Sequence, residues 1–456
     1  MKKIDKIMYT NSVSLIIFPV LLFYLGFVHF IISIPLSILT IYLAYKLIKN
    51  YSYQEVKYTK KYWIIAGTVI LLWLFFSGIG DFSFQNHDFH FRHAILRDLV
   101  NYSWPVHYEK YSFSYYFSYF LPSALIGKIT NYRIANIFLF IYSYICIMSI
   151  LYLINRYLKK ESFWALFLLM LFSGLDIIGL PNYLFSFKEL EWWNGLFQYS
   201  SNTTSIYWTF NQTIPLWLIM SLLLNIKNSN NILFISSLSF FYSPFATIGL
   251  IPIIIYLYFK YLNKNYKSII SWEMLFSLSE LIILGSLYTS SNSTKMRGFI
   301  FQIVQNKHII LPSYLLFIIL EVLPYIFLTY KKNKQDKLYK IVCIELLIIP
   351  IYVMSENNDF CMRASISGLF LLMIYMIKYI ERSKKKKIYV YIILLIASIS
   401  PLHEITRSIY YTTTTNRNTY LKDDIISIGK PKDYQELVKR QFYGNNNSFY
   451  FKYISK

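Results

Sequence analysis

Long apolar blocks alternate with short basic clusters along most of this chain. The clearest blocks cover residues 63–80, 134–154, 309–328 and 364–380, and none of them alternates apolar and polar positions as a half-buried strand does. A helix of about 20 apolar residues crosses the hydrocarbon core of a bilayer while satisfying its own backbone hydrogen bonds. The pattern therefore predicts an all-α fold, built as a polytopic transmembrane helical bundle.

The order of the blocks predicts about 13 spans. Between Lys227 and Lys260 the apolar block is broken at Ser243-Pro244, which indicates two short helices because proline cannot continue a helix from its preceding turn. The other predicted spans are residues 12–30, 32–48, 63–80, 132–155, 162–180, 206–225, 270–290, 309–330, 338–354, 363–380 and 387–402.

The positions of the cations predict the orientation of these spans. The formal net charge is +22, which would suit nucleic acid, but the lysines lie in clusters between apolar blocks. Such clusters mark cytoplasmic turns of membrane proteins, so a nucleic-acid partner is not expected. The N-terminus is then cytoplasmic, the C-terminal tail is outside, and the protein is a multi-pass component of the cytoplasmic (inner) membrane. The clusters lie at residues 2–6, 57–61, 159–160, 260–267, 331–337 and 384–387.

This orientation divides the chain into a transmembrane domain over residues 1–402 and a small outer tail over 403–456. The predicted outer loops are residues 81–131, 181–205 and 355–362. The apolar stretch 115–126 is too short to cross the bilayer. A crossing there would also leave the next span, 132–155, running outward instead of toward the cytoplasm. We therefore expect an interfacial or re-entrant helix there. The three cysteines are scattered, so neither a disulfide framework nor a zinc site is expected.

The first outer loop concentrates titratable side chains. A helix over residues 88–101 places Asp88 and Arg92 together, four positions apart on one face. Asp88 is the candidate general base, since a carboxylate beside an apolar wall has a proton affinity that its neighbours can adjust. The alternative is that Asp88 caps this helix. Asp81 is the second catalytic candidate, and the candidate binding residues of the loop are His87, His90, Arg92, His93 and Arg97.

The same histidines suggest a metal site as an alternative. His87, Asp88, His90 and His93 carry suitable ligand atoms, but their spacing matches no regular signature. We therefore expect neither a metal ion nor another cofactor.

Two further outer clusters carry groups suited to a sugar and a phosphate. Tryptophan rings stack on apolar sugar faces and amides bond to hydroxyls, although Trp192 and Trp193 also fit an aromatic belt at the bilayer surface. Arg363 can bind a lipid-linked phosphate, or it can form an ion pair with Asp359 four residues before it. The remaining candidates of these clusters are Glu191, Gln198, Asn202 and Asn211.

Three segments together resemble the GT-C class of membrane glycosyltransferases, which includes the protein mannosyltransferases and aminoarabinose transferases. They are Asn86-His-Asp-Phe-His-Phe-Arg-His-Ala, the segment 114–128, and the span led by Arg133. The resemblance covers roughly residues 60–400. In that class two adjacent acidic residues are frequent in this loop, whereas here Phe89 follows Asp88.

The resemblance implies inverting transfer of a sugar from a polyprenyl-phosphate-linked donor to a hydroxyl of a cell-envelope glycan, lipid or protein. Asp88 would then be the base. The sequence leaves open a transporter or flippase of a lipid-linked sugar, and a polymerase or ligase of surface polysaccharide.

Overall fold

The computed structural model describes residues 2–176, 190–262, 270–291, 297–355, 358–383, 388–415 and 423–456. Over these residues the protein is mostly helical, as the apolar pattern predicts. Its strands are four segments of three residues each: β1 (Tyr111–Phe113), β2 (Arg297–Phe299), β3 (Tyr352–Met354) and β4 (Tyr443–Asn445). Its α-helices are α1 (Lys2–Phe27), α2 (Phe30–Lys49), α3 (Lys60–Phe75), α4 (Asp88–Asn101), α5 (Leu121–Ile129), α6 (Tyr132–Leu158), α7 (Phe163–Leu171), α8 (Asn202–Leu223), α9 (Ser229–Ser237), α10 (Pro244–Tyr261), α11 (Trp272–Tyr288), α12 (Ile300–Ile303), α13 (Ile310–Glu321), α14 (Leu323–Asn333), α15 (Lys337–Ile348), α16 (Asp359–Arg382), α17 (Ile388–Ala397), α18 (Ile399–Thr414), α19 (Ile425–Ile428) and α20 (Lys432–Phe442).

Local sequence sets where several of these helices begin. The side chains of Asn131 and Ser201 accept hydrogen bonds from backbone N–H groups in the first turns of α6 and α8. Ser243 does the same for α10, whose first residue is Pro244. These residues satisfy N–H groups that the helix itself leaves free, and the predicted break at Ser243-Pro244 is confirmed.

Several long apolar helices fit a protein embedded in a membrane. Within the described ranges six helical segments are long and apolar enough to cross a bilayer, and a seventh is added if α13 and α14, bent by 56°, count as one span. The six segments are α1, α2, α6, α10, α16, and α17 together with α18.

The prediction of about 13 spans is wrong. Apolar blocks read as full crossings form shorter helices: α3 has 16 residues, α7 has 9 and α15 has 12. A span needs about 20 helical residues, so these segments are too short to cross alone. Apolar content alone did not reveal where each helix ends. The predicted span 162–180 reaches residues 177–180, which lie outside the described residues.

Helices α8 and α16 form the centre of the bundle. Nearly every residue of α8 is buried, and α16 packs against α7, α8, α10, α14 and α15. The backbone of α10 approaches α16 closely at Gly249. A Cβ at that position would collide with the backbone of Ala364, so only glycine leaves room for this approach. Both central helices begin at the same end of the bundle as α4, and this places their first turns beside the polar first loop.

The C-terminal segment packs on that loop. Strand β4 pairs antiparallel with β1, with Tyr111 opposite Asn445, and α19 lies against α4. The segment 115–126 forms a short 3₁₀ turn followed by the nine-residue α5, which is too short to cross a bilayer. The boundary drawn at residue 402 falls inside α18, so residues 403–414 continue a helix of the bundle.

Candidate functional site

A cavity of about 320 Å³ lies where the first turns of α4, α8 and α16 meet. The loop before α8 and the middle of α18 complete its wall. The cavity brings together predicted residues from all three outer clusters: His87, Asp88, Glu191, Trp192, Gln198, Asp359 and Arg363. We call it the first cavity.

Asp88 is held at the edge of the first cavity by Arg92. The Arg92 Nη2 donates to Asp88 Oδ2 at 3.2 Å, which confirms the predicted pairing on one helix face. The guanidinium is buried and also donates to the Tyr115 hydroxyl and to the backbone carbonyl of Trp208, both at 3.1 Å. Burial lowers the pKa of Arg92, but Tyr115 and Asp88 outweigh this effect and raise it above its ordinary value. Arg92 therefore stays charged and fixes the Asp88 carboxylate.

The capping alternative for Asp88 does not describe this geometry. Helix α4 begins at Asp88 itself, and the Asp88 backbone N–H donates to the side-chain oxygen of Asn86 at 3.1 Å. The Asp88 carboxylate is instead turned to Arg92 and, at 3.6 Å, to His87 Nε2. About a quarter of the Asp88 side chain (27%) is exposed, so a ligand in the cavity can reach it.

Glu191 also lines the first cavity and is buried. Its Oε1 accepts hydrogen bonds from the Ser201 backbone N–H at 3.0 Å and from the Thr204 hydroxyl at 2.6 Å. Burial and the nearby Asp176 carboxylate raise the pKa of Glu191 well above its usual range. Glu191 therefore takes up a proton more readily than an exposed carboxyl group, and in that form it can donate a hydrogen bond.

Arg363 and Asp359 form the predicted ion pair, with 3.6 Å between Arg363 Nη2 and Asp359 Oδ1. The Ser355 hydroxyl donates to the other Asp359 oxygen at 3.0 Å. The pair does not remove Arg363 from the cavity, since its guanidinium still lines the wall. A bound anion can therefore share this cation with Asp359.

Four predicted residues of the first loop lie away from the cavity. Asp81 belongs to the turn Ile79–Asp81 after α3, with a backbone φ of 65°. His90 lies within hydrogen-bonding distance of Asp423 in the C-terminal segment, with 2.8 Å between Nε2 and Oδ2. Arg97 lies over the ring of Tyr132, with 4.1 Å from its guanidinium carbon to the ring centroid.

His93 is the fourth, and it is a buried structural residue. Its ring nitrogens contact the Tyr132 hydroxyl at 2.6 Å and the Gln85 side-chain oxygen at 2.9 Å. Burial and the nearby Arg97 lower the pKa of His93 to about 3, so the ring is neutral at physiological pH. His87, His90 and His93 therefore face different partners rather than one shared metal position.

Three predicted residues of the second cluster are packed into the bundle. Trp193 Nε1 contacts Asp176 Oδ1 at 3.2 Å and Glu321 Oε1 at 3.3 Å. The Asn202 amide donates to the carbonyls of residues 168 and 169 in α7. Asn211 is fully buried and does not line the first cavity. The tryptophans thus separate, with Trp192 in the cavity wall and Trp193 bound to buried carboxyl groups.

Glu404 is a cavity residue that the sequence did not suggest. It accepts hydrogen bonds from Trp208 Nε1 at 3.3 Å and from Arg407 Nη2 at 3.0 Å. The Arg407 guanidinium carbon also lies 5.3 Å from the centroid of the Trp208 ring. The one sequence signal was the spacing of Glu404 and Arg407, three residues apart beside an apolar block. An ordinary ion pair on the protein surface has the same spacing, so this signal does not indicate a site.

The first cavity thus joins several carboxyl groups, of which Asp88 is held by Arg92, with the partly exposed guanidinium of Arg363, an aromatic wall and several hydroxyl and amide groups. No protein-family model matches the chain, and neither a curated protein nor a solved structure is similar to it. The residues of the cavity can accept a proton from a hydroxyl, bind an anion and stack against a ring.

Proposed function

We propose that the protein is a membrane glycosyltransferase of the GT-C type. It transfers a sugar from a polyprenyl-phosphate-linked donor to a hydroxyl of a cell-envelope acceptor, with inversion, on the outer face of the cytoplasmic membrane. The observation that carries the proposal is that Asp88 and Arg363 face the same cavity beside apolar helices. One group can activate the acceptor while the other stabilises the leaving phosphate.

The chemistry needs only these two groups and correct positioning. The Asp88 carboxylate takes the proton of the acceptor hydroxyl, and the hydroxyl oxygen forms a bond to the anomeric carbon of the donor sugar. The bond from that carbon to the phosphate oxygen breaks at the same time, and its electron pair leaves with the polyprenyl phosphate. Arg363 offsets the negative charge of the departing phosphate. Attack from the face opposite the leaving group inverts the anomeric centre, and no covalent enzyme intermediate forms.

The remaining wall suits a polyhydroxylated ligand. Trp192 and Trp208 present rings, while Gln198, Ser200 and Thr204 present amide and hydroxyl groups. Apolar ring faces and directional hydrogen bonds together recognise sugars better than either does alone. Arg92 supports the reaction indirectly, because its hydrogen bonds to Tyr115 and to the Trp208 carbonyl fix the guanidinium that donates to Asp88.

The test replaces Asp88 with asparagine and measures transfer of radiolabelled sugar from a panel of polyprenyl-phosphate sugars in membranes that contain equal amounts of each protein. We expect Asp88→Asn to lower transfer at least 100-fold, because the amide cannot accept the proton. Asp81→Asn is the matched variant. It makes the same change outside the cavity at a left-handed backbone position that asparagine tolerates, so transfer should persist.

Two results would overturn the proposal. If Asp88→Asn transfers sugar as fast as wild type, then Asp88 is not the base. If wild type transfers no sugar from any donor in the panel, the protein is not a glycosyltransferase of this kind.

A further inference from the structure

A second cavity, of about 160 Å³, lies on the other side of Arg363. Asp359 and Arg363 belong to the walls of both cavities, so the ion pair stands between them. The rest of the second cavity combines aromatic residues, among them Tyr115, Phe245 and Tyr288, with hydroxyl and amide side chains such as Thr289 and Gln441. The two cavities are therefore neighbours that share the Asp359–Arg363 ion pair.

Gln212 provides an unused hydrogen-bond donor in the second cavity. Its side chain is 2% exposed, and its Nε2 has no hydrogen-bond partner among the described residues. Its Oε1 accepts from the Ser243 hydroxyl at 2.8 Å, and the Ser243 oxygen in turn accepts from the Ala246 backbone N–H. In this arrangement Ser243 donates to Gln212 Oε1, and the Nε2 N–H groups are left for another acceptor.

The charged groups at this point favour an anion as that acceptor. Both oxygens of Asp359 are engaged, one by Arg363 and the other by Ser355. The N–H groups of Gln212 and of Arg363 can only donate, and they lie in a wall that also carries hydroxyl groups. Phosphate oxygens accept several hydrogen bonds from such groups, and a guanidinium matches their geometry.

The aromatic wall indicates what carries the phosphate. The rings of Tyr115 and Tyr116 stack with centroids 3.8 Å apart, and Phe245 lies opposite at the start of α10. An apolar chain attached to the phosphate would pack against these rings.

Resting on the function proposed above, we infer that the second cavity binds the phosphate of the lipid-linked donor, with Gln212 and Arg363 as its hydrogen-bond donors. The donor sugar then projects past Arg363 into the first cavity, toward Asp88. The acceptor enters the first cavity, on the opposite side of the sugar from the phosphate. This arrangement gives the in-line geometry that inversion requires.

The experiment measures binding and does not depend on transfer. The purified full-length protein in detergent is titrated with a long-chain polyprenyl phosphate, with the matching polyprenol and with inorganic phosphate, and bound ligand is quantified by native mass spectrometry. We expect Gln212→Leu to weaken binding of polyprenyl phosphate at least tenfold and to leave polyprenol binding unchanged. Gln212→Glu should weaken it further, because it places a carboxyl oxygen against the phosphate.

Asn136→Leu is the matched control. Asn136 is a buried amide on α6 whose side chain donates to the carbonyl of Tyr132 in its own helix, so its loss should not change either affinity. A monodisperse gel-filtration profile of each variant shows that it is folded. If Gln212→Leu does not fold, Gln212→Glu supplies the comparison.

The inference fails if Gln212→Leu weakens phosphate and alcohol binding equally, or weakens neither. It also fails if inorganic phosphate competes as strongly as the lipid, because the site would then recognise free phosphate. If wild type binds polyprenyl phosphate through Gln212 but transfers no sugar, the inference stands and the glycosyltransferase proposal falls.

Discussion

Asp98 connects the outer helix α4 to the C-terminal segment, and its burial makes that contact sensitive to pH. It is fully buried and accepts a hydrogen bond from the Tyr108 hydroxyl, and its helix packs against α19. Burial raises the pKa of Asp98 to about 7, with Asp424 adding to the increase and Arg97 opposing it. We predict that Asp98→Asn removes most of the pH dependence of this contact between pH 4 and 7.

The sign follows from the two protonation states. Between the ordinary pKa of 3.8 and about 7, Asp98 keeps its proton while the C-terminal segment is docked and loses it once the segment undocks. Stability therefore falls as the pH rises through this window and becomes constant above it. One pKa unit corresponds to about 1.4 kcal/mol. The docked contact is therefore about 4 kcal/mol less stable at pH 7 than at pH 4. Asparagine keeps an oxygen that accepts from the Tyr108 hydroxyl, but it does not titrate.

Hydrogen exchange measured by mass spectrometry on the purified protein in detergent gives the assay. Peptides from residues 425–445 are followed between pH 5 and 7.5, after correction for intrinsic exchange. In wild type, the free energy of opening derived from protection should fall by up to about 1.4 kcal/mol per pH unit. In Asp98→Asn this free energy should be nearly independent of pH. Glu109→Gln, which removes a carboxylate from an exposed position of the same loop, should behave as wild type. An unchanged pH dependence in Asp98→Asn would refute the reasoning.

Two further predictions concern positioning and packing. Arg92→Lys should lower sugar transfer at least tenfold and destabilise the protein by about 2 kcal/mol, because one ammonium cannot replace the three hydrogen bonds of the fork; transfer assays and thermal unfolding measure the two effects, and full activity would show that Asp88 needs no support. Gly249→Ala should lower the unfolding temperature at a cost of roughly 1–3 kcal/mol, because the added methyl group meets the backbone of α16. Gly285→Ala on α11, where the methyl group meets nothing within 4 Å, should leave it unchanged or raise it slightly; equal effects would contradict the close approach.

Local features of the chain were predictable because they depend on near neighbours in sequence. The helix over 88–101, the contact between Asp88 and Arg92, and the break at Ser243-Pro244 each follow from spacing or from the backbone limits of proline. The role of a residue was harder to predict when its hydrogen-bond partner lies far away in the sequence. His93 and Trp193, for example, have polar groups suited to a ligand but use them on Tyr132 and on buried carboxyl groups.

By itself the sequence determined the helical class, the membrane character and the polar first loop, since the length and period of apolar blocks decide which segments can be helices in a bilayer. Only the tertiary structure decided how many of those helices are long enough to cross. It also decided that Glu404 joins Asp88 in one cavity and that β4 pairs with β1. These contacts join residues hundreds of positions apart, and they depend on how side chains of several helices fill one common space, which no local pattern records.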